Sequence, residues 1–327
     1  MKYGFAIPNG GPMANGEGIV AIAAKGEALG FDLAYAVDHV AMPKVMDLSN
    51  YPYAREFVMA TGRGRADAGA AGECLELIGT LAFLAAATTR LRLLSSIMVL
   101  PYRPPVLAAK QLATIDVLSG GRLTVGCGVG WIGEEFEILA TPPYKERGRV
   151  ANEYIAAFKE LWTSDAPTFA GDHVNFSNIA FEPKPVQKPH PPIWIGGESV
   201  PAMRRAARLG NGWYPVADNP KHPRNTAPRY AEGVETVRGF AEEAGRDPNE
   251  IEFCLVCELY DESQPKSWED GTRIPFTGAA QQIAEDVMQY RDAGLGTLVI
   301  DFLALNHENT FARMDFFAGE VMPLVDD

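Results

Sequence analysis

The sequence predicts an α/β fold, a (β/α)8 barrel carrying insertion segments, and three observations predict it. Short apolar runs of strand character alternate with longer helix-periodic stretches about eight times along the chain. The short runs are apolar enough to be buried on both faces, which marks a parallel rather than an antiparallel sheet. No linker, internal repeat or low-complexity tail divides the 327 residues, so residues 1–327 are expected to form one domain. A prior of roughly 150 residues per domain would allow two, but α/β barrels exceed that as single units.

Tyr3–Ile7 is the first expected strand, and Ile19–Leu29 is helix-periodic as far as Gly30, a residue suited to ending a helix. Leu33–Val37 is the second strand and stops at Asp38-His39. Leu75–Thr88 has apolar residues at helical spacing, and Leu91–Leu100 is a near-continuous apolar strand closed by Pro101. Pro105–Leu118 is a helix with proline at its start, where no N–H is needed. Leu123–Cys127 is the fourth strand and Arg149–Trp162 a long amphipathic helix. The second half repeats the rhythm, with strands at Ile193–Ile195, Gly212–Tyr214, Ile251–Leu259 and Thr297–Phe302. Its helices are Pro201–Leu209, Arg229–Ala244, Ala279–Ala293 and Phe311–Leu324. Two stretches break the pattern. Residues 41–72, rich in Gly, Ala and Arg and containing Tyr51 and Tyr53, form a candidate lid over the barrel mouth. Residues 164–192 carry turn signals at Gly171-Asp172 and Ser177-Asn178 and then a proline-rich run, which predicts a β-hairpin insertion with an extended lead-in.

Lys plus Arg total 29 against 42 for Asp plus Glu, a formal charge of −13. That balance argues against nucleic acid or an anionic membrane as the main partner, since both would be repelled. The amino-terminal stretch lacks a signal-peptide layout and no run of about 18 apolar residues occurs, so a cytoplasmic protein is expected. Four cysteines in so long a chain make no disulfide framework. Cys254 and Cys257 form a C-x-x-C within a strand, where positions three apart face opposite sides, and are expected to be core thiols rather than a redox or zinc pair. The five histidines are scattered without metal-ligand spacing, so no metal is expected.

In a parallel barrel the strand ends at the carboxyl side have first claim on chemistry. Asp38-His39 ends the second strand; a carboxylate beside an imidazole is either a proton-transfer pair or a rim histidine satisfied by hydrogen bonds, and the strand-end position favours the first. Gly128, Gly130 and Gly133 fit G-x-G-x-x-G, but Glu134-Glu135 would repel a pyrophosphate and Thr141-Pro142-Pro143 stops any helix within about two turns. The glycines then either bring bare backbone close to a flat ring or simply make turns. Gly196-Gly197-Glu198-Ser199 joins a strand to a helix, and Ser199 with Pro201 suits a helix start. Free backbone N–H groups there, with Arg204, Arg205 and Arg208 following, offer phosphate binding as the alternative to plain capping. Glu134, Glu135, Arg147 and Arg149 are expected as an ion-pair network at the rim. Tyr51, Tyr53 and Phe57 either line a substrate pocket or pack the lid.

Taken together, several segments resemble the bacterial luciferase-like family of flavin and deazaflavin oxidoreductases, nearly end to end. The resemblance is strongest in Leu118-Ser119-Gly120-Gly121-Arg122-Leu123 leading to Gly126-Cys127-Gly128-Val129-Gly130-Trp131, in Glu146-Arg147-Gly148-Arg149, and in Pro191-Pro192-Ile193-Trp194-Ile195-Gly196-Gly197 followed by Ala206-Ala207-Arg208-Leu209-Gly210-Asn211-Gly212-Trp213. Within the family the pattern is most similar to the branch that uses coenzyme F420. The resemblance implies a tricyclic ring at the carboxyl ends of the strands, with Asp38 and His39 near it and His39 in proton transfer or ring contact. It implies a cis non-proline peptide at Ser96-Ile97 behind the ring, and a phosphate on Gly196, Gly197 and Ser199. The glucose-6-phosphate dehydrogenase branch has a general-acid glutamate where Trp131 stands here, so its sugar oxidation is not carried over. Trp131 suggests an apolar wall and a less polar substrate.

These readings converge on an F420-dependent oxidoreductase moving hydride to or from a small organic substrate, with Asp38 and His39 tuning or relaying a proton. An FMN-dependent monooxygenase on the same barrel is the alternative, and a non-catalytic flavin-binding barrel is a third reading from another class. The family also implies a homodimer.

Overall fold

A computed structural model of the chain describes residues 1–41 and 74–326. The candidate lid, including Tyr51, Tyr53 and Phe57, lies outside the described residues apart from its first member, Ala41.

The strands are β1 (Lys2–Ala6), β2 (Leu33–Ala36), β3 (Arg92–Ser95), β4 (Met98–Val99), β5 (Leu123–Gly128), β6 (Phe169–Ala170), β7 (Asn175–Phe176), β8 (Ile193–Gly196), β9 (Gly212–Tyr214), β10 (Glu252–Cys257) and β11 (Thr297–Ile300). All but β6 and β7 belong to one sheet of order β3-β2-β1-β11-β10-β9-β8-β5-β4. Every pairing in it is parallel, and a further β3–β5 contact closes the ring. β3 and β4 are two pieces of one stave: Leu93 and Leu94 pair with Leu123 and Thr124, and Met98 and Val99 pair with Cys127 and Gly128. Counting them once gives a closed eight-stave barrel. The expected continuous strand Leu91–Leu100 is therefore interrupted, and the interruption is the cis peptide bond between Ser96 and Ile97.

The helices are α1 (Gly16–Leu29), α2 (Leu77–Ala87), α3 (Pro105–Leu118), α4 (Gly133–Ile138), α5 (Arg147–Thr163), α6 (Val200–Leu209), α7 (Ala227–Glu243), α8 (Ala280–Asp292), α9 (His307–Phe316) and α10 (Met322–Asp326). Their ends follow local chemistry. Asn15 caps α1 by accepting from the Gly18 N–H at 2.9 Å, and Gly30 ends it at φ 88°. Gly120 and Gly121 both sit at positive φ and turn the chain from α3 into β5. The expected last helix divides: a π-helical turn at Phe317–Val321 separates α9 from α10. There Phe317 packs against Tyr3, Phe31, Tyr260 and Phe302.

The period-2 alternation of the strands sorts the apolar residues into two cores. Tyr35, Leu94, Trp194, Tyr214, Cys254, Val256 and Val299 form one cluster, with a member from most of the staves; this is the barrel interior. The opposite strand faces meet the helices in a larger cluster that includes Phe5, Leu93, Val125, Ile195, Trp213, Leu255 and Cys257. Cys254 and Cys257 thus lie in different cores, and both are free thiols. Between α5 and β8, β6 pairs antiparallel with β7, Phe169 opposite Phe176 and Ala170 opposite Asn175. Among the described residues, no helix is long and apolar enough to cross a membrane.

Candidate active site

The carboxyl ends of the staves carry a floor and a rim. Val37, Ile97, Val216 and Leu303 are partly buried and pack on the interior cluster. Each stands just beyond or between strands: after β2, between β3 and β4, after β9 and after β11. Together they cap the barrel interior with an apolar surface. Beneath it, the Ser96 hydroxyl and the Tyr214 phenol are hydrogen-bonded at 2.9 Å. Burial pushes the Tyr214 phenol well above its usual range, so it remains a neutral hydroxyl.

Ile97 explains two of the glycines. A Cβ at Gly128 would lie 1.9 Å from Ile97 Cδ1, and one at Gly196 2.8 Å from the same atom. At Gly128, where bare backbone was expected either to approach a ligand ring or to make a turn, and at Gly196, expected on a phosphate segment, the Ile97 side chain fills the space that the missing Cβ leaves. Gly130 has φ 81°, and a Cβ there would strike Phe136 and Val99 within 2.8 Å. It serves the turn into α4. Gly133 opens α4, which is only six residues long, consistent with the early proline stop.

Asp38 and His39 follow the end of β2 and take different partners. Asp38 is buried and accepts from the Val99 N–H at 2.8 Å and from both Arg103 terminal nitrogens at 2.8 and 2.7 Å. Arg103 also pairs with Glu76 at 2.5 Å, and Glu76 caps α2 through the Gly79 N–H. Burial pulls the Arg103 guanidinium down, but Asp38 and then Glu76 outweigh it and hold the charge firmly on. Asp38 is thereby a buttress tying the end of β2 to β4 and α2. The expectation that Asp38 is the carboxylate serving the imidazole is corrected.

That carboxylate is Glu135, on α4. His39 Nδ1 lies 3.2 Å from Glu135 Oε2, with 23% of the imidazole side chain and none of the Glu135 side chain exposed. Glu135 also accepts from the Tyr102 hydroxyl at 2.8 Å and from the Val40 and Ala41 N–H groups at 2.6 and 3.1 Å. Burial pushes its carboxyl up, but the bonds from His39, Val40 and Ala41 prevail and hold it below the usual carboxylate range. The His39 ring meets Trp131 edge-on, with centroids 6.3 Å apart, so Trp131 walls the imidazole on one side. The arginine network expected around Glu134 and Glu135 is not what holds Glu135. Arg147 stacks on Tyr144 at 3.9 Å, and Arg149 faces Glu146 at 3.6 Å. Glu135 was visible in the sequence only as one of two adjacent acids. Its distinction, a position on the inner side of a one-and-a-half-turn helix, needs the fold.

The Gly196-to-Ser199 segment ends β8 and opens α6. Gly197 has φ 111°, a conformation that favours glycine. Ser199 is the N-cap residue, but its hydroxyl makes no capping bond. The first turn of α6 therefore keeps donors that no side-chain cap takes up, which suits a phosphate. Buried Arg147 Nε has no hydrogen-bond partner among the described residues. Arg147 belongs to the first turn of α5, where the next residue, Gly148, accepts from Arg205 of α6 at 3.0 Å. Of the basic patch expected from Arg204, Arg205 and Arg208, Arg205 is buried while Arg204 and Arg208 stay exposed. Arg204 lies over the Phe240 ring at 4.8 Å, and buried Arg205 is held by Asn152 and Gly148. Arg204 and Arg205 thus pack α6 against α7 and α5.

A second group of acids lies past the carboxyl ends of β8 to β11. Glu258 continues the inward-facing alternation of Cys254 and Val256. Burial, with the charges of Asp218, Asp301 and Glu198, raises its carboxyl to about 8. Glu198 is itself buried and accepts from the Val216 N–H at 2.7 Å and from Asn219. Among the described residues no cluster of His, Cys, Asp and Glu is arranged to hold a metal.

Residues 1–260 match the sequence profile of the luciferase-like monooxygenases. In sequence the chain is 29% identical over 283 residues to the FMNH2-dependent dimethylsulfone monooxygenase of Pseudomonas putida, covering 74% of this chain and 76% of that one. Among solved structures it superposes on a monooxygenase from Streptomyces bottropensis with a TM-score of 0.74 at 20% identity, over 99% of both chains. It also superposes on the coenzyme F420-dependent tetrahydromethanopterin reductase of Methanopyrus kandleri with a TM-score of 0.71 at 16% identity, over 98% of both chains. The two structural matches show the shared barrel. With the profile match covering most of its length, the chain belongs to the luciferase-like monooxygenase family.

Proposed function

We propose that the protein is an oxidoreductase that moves hydride equivalents between coenzyme F420 and a small, fairly apolar organic substrate at the carboxyl end of the barrel. The observation that carries this reading is the apolar floor of Val37, Ile97, Val216 and Leu303 together with the His39 imidazole held by Glu135 at the carboxyl end of β2. An apolar surface suits the face of a tricyclic ring, and an imidazole nearby suits proton transfer. The bound cofactor would supply the hydride chemistry, and the chain's own residues supply the rest. Gly197, Ser199 and the first turn of α6 offer N–H groups and a free hydroxyl to a phosphate, and the Arg147 guanidinium a charge. Trp131 walls the ring side and excludes water, and His39 holds or moves a proton at the ring nitrogen turned away from Glu135. Asp38 keeps the strand end in place through Arg103.

A second reading, an FMN-dependent monooxygenase, is favoured by the Pseudomonas putida relative, whose own cofactor is FMNH2. Both cofactors present a flat ring and a phosphate, so the same site residues serve either. Equilibrium binding of the purified protein to F420 and to FMN, followed side by side by fluorescence, tests the two. Tight F420 binding with weak FMN binding supports hydride transfer. The reverse supports the monooxygenase, and turnover should then consume oxygen in step with substrate. Absence of binding to either overturns both. Under either reading His39→Ala should lower turnover far more than cofactor affinity; unchanged turnover would remove its assigned role.

A further inference from the structure

We infer that Glu135 is a positioning residue that fixes the tautomer of His39, keeping the ring hydrogen on Nδ1 and leaving Nε2 as the nitrogen that meets a ligand. The inference deepens the reading of His39 above, but it concerns the resting protein and can be tested without cofactor.

The argument is one of donors and acceptors. Glu135 is fully buried, and among the described residues its hydrogen-bond partners are donors or a group that can become one. Oε1 takes the Val40 and Ala41 N–H groups at 2.6 and 3.1 Å. Oε2 takes the Tyr102 hydroxyl at 2.8 Å and faces His39 Nδ1 at 3.2 Å. An ionised carboxylate has no hydrogen to give, so the bond to His39 exists only if Nδ1 carries one. The carboxyl is held below its usual range, and the Tyr102 phenol is pushed well above its own by burial and by Glu135. Both groups therefore keep these roles near neutral pH. With Nδ1 committed, Nε2 has no hydrogen-bond partner among the described residues. In proton transfer a neutral imidazole acts through its unprotonated nitrogen, so the tautomer decides which atom is the base.

Replacement of Glu135 by glutamine makes a sharp test because the site dictates the amide's orientation. Two backbone N–H groups converge where Oε1 sits, so the amide oxygen must take that place and the amide nitrogen must face His39. An NH2 group there donates to Nδ1, which forces the ring hydrogen onto Nε2. Glu135→Gln is thus expected to invert the tautomer while nearly preserving the shape of the site.

The measurement is 15N NMR of ring nitrogens in histidine-labelled protein at a pH where the rings are neutral, with the His39 signals identified by their loss in His39→Gln. The wild-type protein should show a protonated-type Nδ1 and a pyridine-type Nε2 for His39, and Glu135→Gln should show the two exchanged. Tyr102→Phe, which removes one donor but leaves the carboxylate beside the imidazole, should keep the wild-type pattern. A wild-type Nε2–H ring, or a glutamine variant with the wild-type pattern, overturns the inference. Should Glu135→Gln not fold, the wild-type and Tyr102→Phe spectra decide alone, since an Nε2–H ring in either contradicts it. Failure of F420 or FMN to bind would remove the proposed function and leave the tautomer result standing.

Discussion

The residue scale shows how far chemistry depends on company rather than on type. Asp38 and His39 are neighbours in the chain, yet one is spent on Arg103 and the other is held by Glu135, 96 residues away. Glu258 shows the same dependence in its proton affinity. Burial and the nearby acids raise its carboxyl from an ordinary 4.5 to about 8, so the folded protein holds a proton there that the unfolded chain releases above about 4.5. Folding therefore binds a proton between those values, and this group's contribution to stability is lost as pH rises through that window. Glu258→Gln, which cannot titrate, should flatten the fall of the denaturation midpoint between pH 4.5 and 8 and stabilise the protein above it. Parallel wild-type and variant pH slopes would show that Glu258 does not titrate there.

At the scale of elements, the joint between α3 and β5 rests on one side chain. The Arg122 guanidinium donates to Ser119 O, Leu91 O, Ala85 O, Thr88 O and Thr88 Oγ1, at 2.7 to 3.0 Å. It thereby satisfies carbonyls at and just after the end of α2 and at the turn after α3, just before Gly120 and Gly121. A lysine keeps the charge but not the planar fork, and would leave several of these carbonyls unpaired. Arg122→Lys should destabilise the protein by about 2–4 kcal/mol, since each stranded buried group costs about 1–3 kcal/mol. Thermal or denaturant unfolding would read this, and a loss below about 0.5 kcal/mol would mean that water replaces the fork. The sequence marked Gly120-Gly121-Arg122 as part of a recognisable pattern, but its mechanical reason appears only when α2 comes alongside.

For the whole molecule, closure of the barrel is the decisive event, and it depends on close backbone approach between β3 and β5. A Cβ added at Gly126 would lie 2.0 Å from the Ser95 carbonyl oxygen, a backbone atom with no rotamer to change. Gly126→Ala must push the two staves apart where β3 and β5 close the ring. The expected outcome is insoluble protein or a loss of more than about 4 kcal/mol, the range of severe core disruption. A variant unfolding within about 1 kcal/mol of wild type would show that the staves can separate without opening the barrel.

The class of fold, the order of its elements and most of their limits are legible in the residues alone, because strand and helix periods and glycine or proline stops are local properties. α3 and β9, for example, lie where periodicity and their flanking residues put them. The sequence also places His39 at a strand end and Ser199 at a helix start, positions that follow from the order of elements alone, whereas Ser96 and Ile97 read as the middle of one strand and only the break between β3 and β4 puts them at a strand end. Which residues face one another is set by the folded chain. Partners such as Glu135 with His39, Ile97 with Gly128, Arg205 with Asn152 and Arg122 with the end of α2 lie between 31 and 96 residues apart. No local period encodes such pairs, because they arise from the closure of the barrel, which brings the carboxyl ends of its staves to one rim.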